Sequence, residues 1–293
     1  MALILPLLAF LLGYLAVEPL KPIRPLLAAS LARVLIPGLI IYNMVFYQLG
    51  SLWLVGLSFV SSIIFYSCFY VLRKDKLQAL CLSYLNGAWL GLPFALAVFG
   101  TQATHTIVAL YIGGSLFGNI CAVMAVSQDK QSVGFIINNV LQSPPVVALT
   151  IAAILSFWDF SAYQQHQVVE ILYGLNKFLV TFAGMCVLGM WLSKVSIQLS
   201  DLVLSIQLIL ARMLIAVFVC GAAYLILPIP HLALTYAVIF MFFCLPPAAN
   251  IVALETYYQG TGYSAKYIAS GTIASALIIG LYGIFIHSLD ILN

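Results

Sequence analysis

The chain has 293 residues, of which 64% are hydrophobic and only 6% charged, with a formal net charge of +3. Its nineteen charged side chains, 11 Lys+Arg and 8 Asp+Glu, cannot cover a water-facing surface, since soluble domains carry about a quarter charged residues. That excludes a soluble enzyme and a disordered chain and leaves an integral membrane protein; the small, scattered positive charge excludes nucleic acid as a partner.

Ten apolar stretches suited to crossing a bilayer as helices follow in chain order: 2–17, 27–48, 51–72, 77–99, 105–127, 143–158, 164–192, 203–227, 233–258 and 264–288. No Lys or Arg precedes the first, and no small-residue cleavage site follows before Glu18-Pro19-Leu20-Lys21, so it is expected to be retained rather than cleaved as a signal peptide. The third runs into the basic link Arg73-Lys74-Asp75-Lys76. The fourth carries Asn86-Gly87-Ala88-Trp89-Leu90-Gly91-Leu92-Pro93 near its middle, and the ninth carries Leu245-Pro246-Pro247-Ala248-Ala249-Asn250. Gly87/Gly91 and Gly114/Gly118 have the GxxxG spacing of closely packed helices. The six cysteines sit singly within apolar runs and read as small buried hydrophobes, with no metal or disulfide spacing.

Positive charge sorts by side. The links after spans 1, 3, 5, 7 and 9 hold Lys21, Arg24, Arg33, Arg73, Lys74, Lys76, Lys130, Lys194 and Lys266, while the other links and both termini hold none. This places the odd links in the cytoplasm and both termini outside, in a multi-pass protein of the cytoplasmic membrane. His105, His166, His231 and His287 then fall near the outer face, where they read as interface residues. Trp53, Tyr70, Trp158, Trp191 and Tyr257 lie near span ends as anchors. Ten spans with both ends outside divide into two groups of five, residues 1–128 and 129–293, the second inserted upside down relative to the first. The helix breakers support this division, since each falls in the fourth span of its half.

Pro93 removes a donor and frees the carbonyl of Trp89; Pro246 and Pro247 free those of Phe242 and Phe243. An interrupted helix presents a half-helix N-terminus whose unpaired N–H groups and positive dipole end attract an anion. The expected amides lie around Phe94 to Leu96 and Ala248 to Asn250. Asn86 and Asn250 either contact a carboxylate or a cation through neutral groups, or simply cap the broken backbone.

These strings resemble the auxin efflux carrier family in its short bacterial form. The fourth-helix likeness is Asn86 to Pro93 followed by Phe99-Gly100; the ninth-helix likeness is Leu245 to Asn250 followed by Ala253-Leu254-Glu255-Thr256-Tyr257. Leu35-Ile36-Pro37 and Gln142-Ser143-Pro144-Pro145 are weaker matches. Many members have a proline near the position of Phe182, and this chain departs from the pattern there. The resemblance implies an all-α crossover fold like that of bile-acid symporters and sodium–proton antiporters, with a transport domain moving against a scaffold. It also implies a small organic anion such as a carboxylate as substrate and membrane lipid as surroundings; crossover transporters often resemble dimers in assembly, which makes a homodimer a candidate partner although no dimer face is legible in the sequence. Its substrate-binding residues would be Asn86, Gly91, Pro93, Pro246, Pro247 and Asn250.

Few ionisable residues are embedded. Arg212 in span 8 either attracts the anion or snorkels to the cytoplasmic interface. Lys177 in span 7 either serves as counter-charge or proton carrier or reaches the outer interface. Glu255 lies about 13 Å of helix past Pro246, as a cap or a gate at the inner mouth. No pair of adjacent embedded carboxylates is present, which argues against direct cation exchange; sodium coupling through neutral oxygens, proton coupling and uniport stay open. Neither an enzymatic nucleophile with its base nor a metal cluster is evident in the spans, so the sequence reads as a secondary transporter and not as an intramembrane enzyme. A non-transporting sensor would need an output domain, and the links are short. A bile-acid-type sodium symporter of the same fold is the alternative within the transporter class.

Overall fold

The computed structural model describes residues 4–46, 51–126, 132–158, 160–164, 166–229, 232–252, 255 and 263–288. The expected link and anchor residues Lys130, His231 and Tyr257 lie outside them. The described residues are helical, with no β-strand and one isolated β-bridge. In chain order the helices are α1 (Ile4–Leu15), α2 (Val17–Leu20), α3 (Arg24–Ser30), α4 (Ile36–Val45), α5 (Ser51–Arg73), α6 (Lys76–Ser83), α7 (Leu92–Phe99), α8 (Thr104–Val126), α9 (Val133–Leu141), α10 (Pro144–Leu155), α11 (Gln167–Leu192), α12 (Leu199–Ile226), α13 (Leu232–Phe243) and α14 (Tyr263–Ser288). One π-turn, Leu31–Leu35, joins α3 to α4, and a second, Gly87–Gly91, leads into α7.

Among the described residues six helices are long and apolar enough to cross a membrane: Arg24–Val45, Ser51–Arg73, Thr101–Ala122, Gln167–Leu192, Leu199–Ile226 and Tyr263–Ser288. Their outward faces are apolar, as a lipid solvent requires. On α12, Leu210, Leu214, Val217 and Phe218 are exposed, and on α14 Leu277, Leu281, Ile284 and Phe285, each set at helical spacing. The chain is therefore a membrane protein. Two further expected spans form short helices, α1 and α10 of 12 residues each, about 18 Å long. The fourth and ninth are broken into pieces.

Local chemistry sets the sharp links. Lys74 takes a left-handed backbone (φ 57°), and the Asp75 carboxylate then accepts from the amides of Leu77 (2.8 Å) and Gln78 (3.0 Å), capping α6 so that it folds back along α5. Pro37 and Pro93 each occupy the second position after a π-turn, where the widened backbone accommodates the ring and the missing N–H is inexpensive. In the first case the carbonyl of Leu35 accepts from Asn176 Nδ2 at 3.0 Å.

Helix pairs pack α1 on α11, α4 on α10, α5 on α8, and α12 on α14. The α1–α11 contact depends on two glycines: a Cβ on Gly13 would strike the Cys186 carbonyl, and one on Gly189 the Phe10 carbonyl. Small hydroxyls hold the other close pairs. Ser58 Oγ donates to the Leu110 carbonyl between α5 and α8 at 2.6 Å, and the Ser205 and Ser270 hydroxyls bond at 2.7 Å between α12 and α14. The deepest apolar packing gathers Phe65, Phe117, Phe242 and Phe243 around the two interruptions.

Candidate functional site

The fourth span stops at Ser83 and resumes at Gly87; the ninth stops at Phe243 and turns helical again at Asn250. The two gaps lie against each other. Asn86 N–H donates to the Pro246 carbonyl at 2.8 Å and Ala248 N–H to the Tyr84 carbonyl at 2.9 Å, an antiparallel bridge centred on Leu85 and Pro247. Backbone released from a helix in an apolar interior must find partners, and here each break supplies them to the other.

In the ninth span the interruption falls on the proline pair, as the sequence suggests. In the fourth it does not fall at Pro93. Helix runs through Pro93, and the gap lies at 84–86, so the second half-helix begins with the amides of Gly87 to Trp89 and not those of Phe94 to Leu96. The position is set by pairing with Pro246 and Ala248, a contact that local sequence does not reveal. The Trp89 carbonyl freed by Pro93 packs against Gly184 of α11, where a Cβ would come within 2.9 Å.

The first halves of both spans, α6 and α13, end at the same side chain. Arg212 of α12 is fully buried (0% exposed). Its Nε donates to the Phe243 carbonyl at 2.6 Å, Nη2 to the Leu245 carbonyl at 2.5 Å and Nη1 to the Leu82 carbonyl at 3.3 Å. The side chain does not snorkel to an interface, because three carbonyls released by the breaks lie within reach and helix C-termini attract positive charge.

The second halves begin at a cavity of about 180 Å³ lined by Asn86, Asn119, Asn250, Ser115, Tyr84 and Tyr111, with Trp89, Pro144 and Pro145 as apolar walls. Among the described residues no charged side chain lines it. Asn86 is 4% exposed; its Oδ1 accepts from Trp89 N–H at 3.2 Å, capping the new half-helix, while its Nδ2 has no hydrogen-bond partner among the described residues. Asn250 Nδ2 donates to the Tyr84 hydroxyl at 2.9 Å. A cavity lined by amide and hydroxyl side chains beside two helix starts suits an acceptor-rich, negatively charged or strongly polar solute.

Of the residues expected at the site, Asn86 and Asn250 line this one cavity. Pro246 and Pro247 form its backbone bridge. Gly91 faces Leu245 and Ile107, and Pro93 is buried in α7, so both act on packing behind the cavity. Lys177 lies outside the lining, its ammonium 4.3 Å from the centre of the Tyr173 ring on its own helix. Glu255 is buried (0% exposed), and its carboxylate accepts from the amides of Tyr263 and Ser264, each at 2.8 Å, and from the Ser264 hydroxyl. It thus caps the start of α14. Sequence reasoning missed Tyr84, Tyr111, Ser115 and Asn119. The last three recur every fourth residue along α8, a polar stripe in an otherwise apolar helix that could have flagged them.

No protein-family model and no curated protein matches this chain.

Proposed function

We propose that the chain is a secondary transporter that moves a small organic anion, with a carboxylate as the favoured class, by alternating access at the cavity between the two interrupted helices. The observation that carries this reading is the pairing of the two breaks beside a polar cavity lined by Asn86, Asn250, Tyr84 and Ser115. Half-helix starts at a broken pair of spans are a recurrent way to hold an anion in a membrane without burying a fixed charge. A volume of about 180 Å³ lies below the range of about 300–1,000 Å³ typical of drug-sized ligands. It therefore favours a solute of a few carbons over a steroid.

On this reading the chain has ten spans in two inverted halves, 1–128 and 129–293. The helix contacts support it, because advancing each partner by five spans converts one contact into another. The first span packs on the seventh (α1 on α11) and the sixth on the second (α10 on α4); the third packs on the fifth (α5 on α8) and the eighth on the tenth (α12 on α14). The first two contacts would belong to a scaffold, the latter two to the moving body that carries both breaks. The link contacts agree with odd links on one face. Lys194 after span 7 lies 3.7 Å from Glu18 after span 1, and on the opposite face His287 at the end of span 10 bonds the Val98 carbonyl at the end of span 4 (2.7 Å). With the excess of Lys and Arg on the first face, this supports cytoplasmic odd links and external termini.

Binding is tested by the melting temperature of detergent-purified protein against small mono- and dicarboxylates. At a hundredfold excess over the dissociation constant a ligand adds about 2.7 kcal/mol. Stabilisation by a carboxylate in the native chain, lost in Asn86→Asp, is expected; stabilisation equal in both would remove the site from this cavity.

A further inference from the structure

The contact between Arg212 and the two half-helix ends has a consequence for ion coupling. Two helix C-termini, α6 and α13, are brought together in an apolar interior, and each ends in carbonyls with no onward helical partner. Such converging negative ends need positive charge, and in transporters with broken spans a bound cation commonly supplies it through unwound carbonyls. Here the guanidinium occupies that position. Its three bonds reach Leu82 from one span and Phe243 and Leu245 from the other. Among the described residues no carboxylate forms an ion pair with Arg212; the ion pair present there is Lys194–Glu18, on the surface.

We propose that Arg212 is a resident substitute for a coupling cation: its guanidinium neutralises both half-helix ends and fastens the two breaks into one body, so that the binding-competent state forms without sodium or another small cation. This deepens the transporter reading and rests on it. Arg212 acts as a positioning residue; it does not line the cavity and is not a substrate contact. A planar fork with several donors suits carbonyls arriving from two chain segments, whereas a lysine ammonium is a single compact point of charge.

The test uses melting curves of the purified full chain in sodium chloride and in choline chloride at equal ionic strength, without any carboxylate. The native protein is expected to melt at the same temperature in both. Arg212→Ala is expected to melt lower in choline and to recover in a saturable manner on adding sodium or methylguanidinium, either of which can enter the vacated carbonyl cage. Saturable stabilisation of the native protein by sodium overturns the proposal, as does an Arg212→Ala protein that folds and responds to neither cation. Should Arg212→Ala fail to fold, the native protein and Arg212→Lys decide the matter: indifference of both to sodium supports the resident charge, and a sodium requirement in the native protein removes it. Because these melts contain no carboxylate, a failure of carboxylate transport would leave them standing, and a sodium-stabilised native protein that still transports carboxylate would overturn only this inference.

Discussion

Asn86 does two things with one amide. Its oxygen caps the helix that begins at Gly87, and the residue lines the cavity, its buried nitrogen having no hydrogen-bond partner among the described residues. Asn86→Asp keeps an acceptor for the cap and exchanges the donor for a negative charge. The account predicts near-native melting, since an acidic cap at a helix N-terminus is favourable, with carboxylate uptake reduced by about a hundredfold or more, given that a lost charge-assisted bond costs ~1.5–3 kcal/mol and repulsion adds to it. Glu255 separates the two properties in the opposite sense. Glu255→Ala removes an acceptor from Tyr263, Ser264 and the Ser264 hydroxyl. It should destabilise the protein by about 1–3 kcal/mol, read as a lower melting temperature, and leave carboxylate affinity in the surviving folded protein unchanged. A lost affinity with unchanged melting would instead place Glu255 at the substrate. How far these roles are legible beforehand differs between the two. That Asn86 matters follows from an amide set among glycines in an apolar span; that Glu255 caps α14 does not, because its partners lie eight and nine residues on, across a link.

At the scale of elements, the ninth span shows where sequence suffices. Pro246 and Pro247 forbid a continuous helix, and the interruption lies on them. The fourth shows where it does not. Its proline is accommodated after a π-turn, while the gap opens among Tyr84, Leu85 and Asn86, which carry no breaker; it is maintained by bonds to residues more than 150 positions away. Each break therefore depends on the other. Pro246→Ala combined with Pro247→Ala is expected to let the ninth span close into continuous helix, withdraw the acceptor from Asn86 and abolish uptake while membrane insertion persists; uptake at native rate would show that the bridge is dispensable. The approach of α8 gives a finer test. A Cβ on Gly118 would overlap the Tyr84 ring, whose hydroxyl accepts from Asn250. Gly118→Ala should cost about 1–3 kcal/mol of overpacking and push that ring toward the cavity, lowering uptake more than Gly134→Ala, where a Cβ meets nothing within 4 Å.

For the whole molecule, the class and the proposed sidedness rest on counts of residues and the candidate site rests on contacts. A composition with 6% charged residues leaves little choice but a lipid surface, and the exposed Leu, Val, Ile and Phe rows of α12 and α14 are that surface. The polar residues around the paired breaks lie on two sides of them: Arg212 at the helix ends, and the Asn, Ser and Tyr groups of the cavity at the helix starts. On the proposed reading that division lets the site attract an anion with no charged side chain lining it among the described residues. The most direct measurement is uptake of labelled small carboxylates into liposomes containing the purified chain, native beside Asn86→Asp. The account predicts saturable uptake by the native protein, competed by unlabelled carboxylate and absent from the Asn86→Asp vesicles; no uptake of any small carboxylate by correctly inserted native protein, or equal uptake by both, would contradict it.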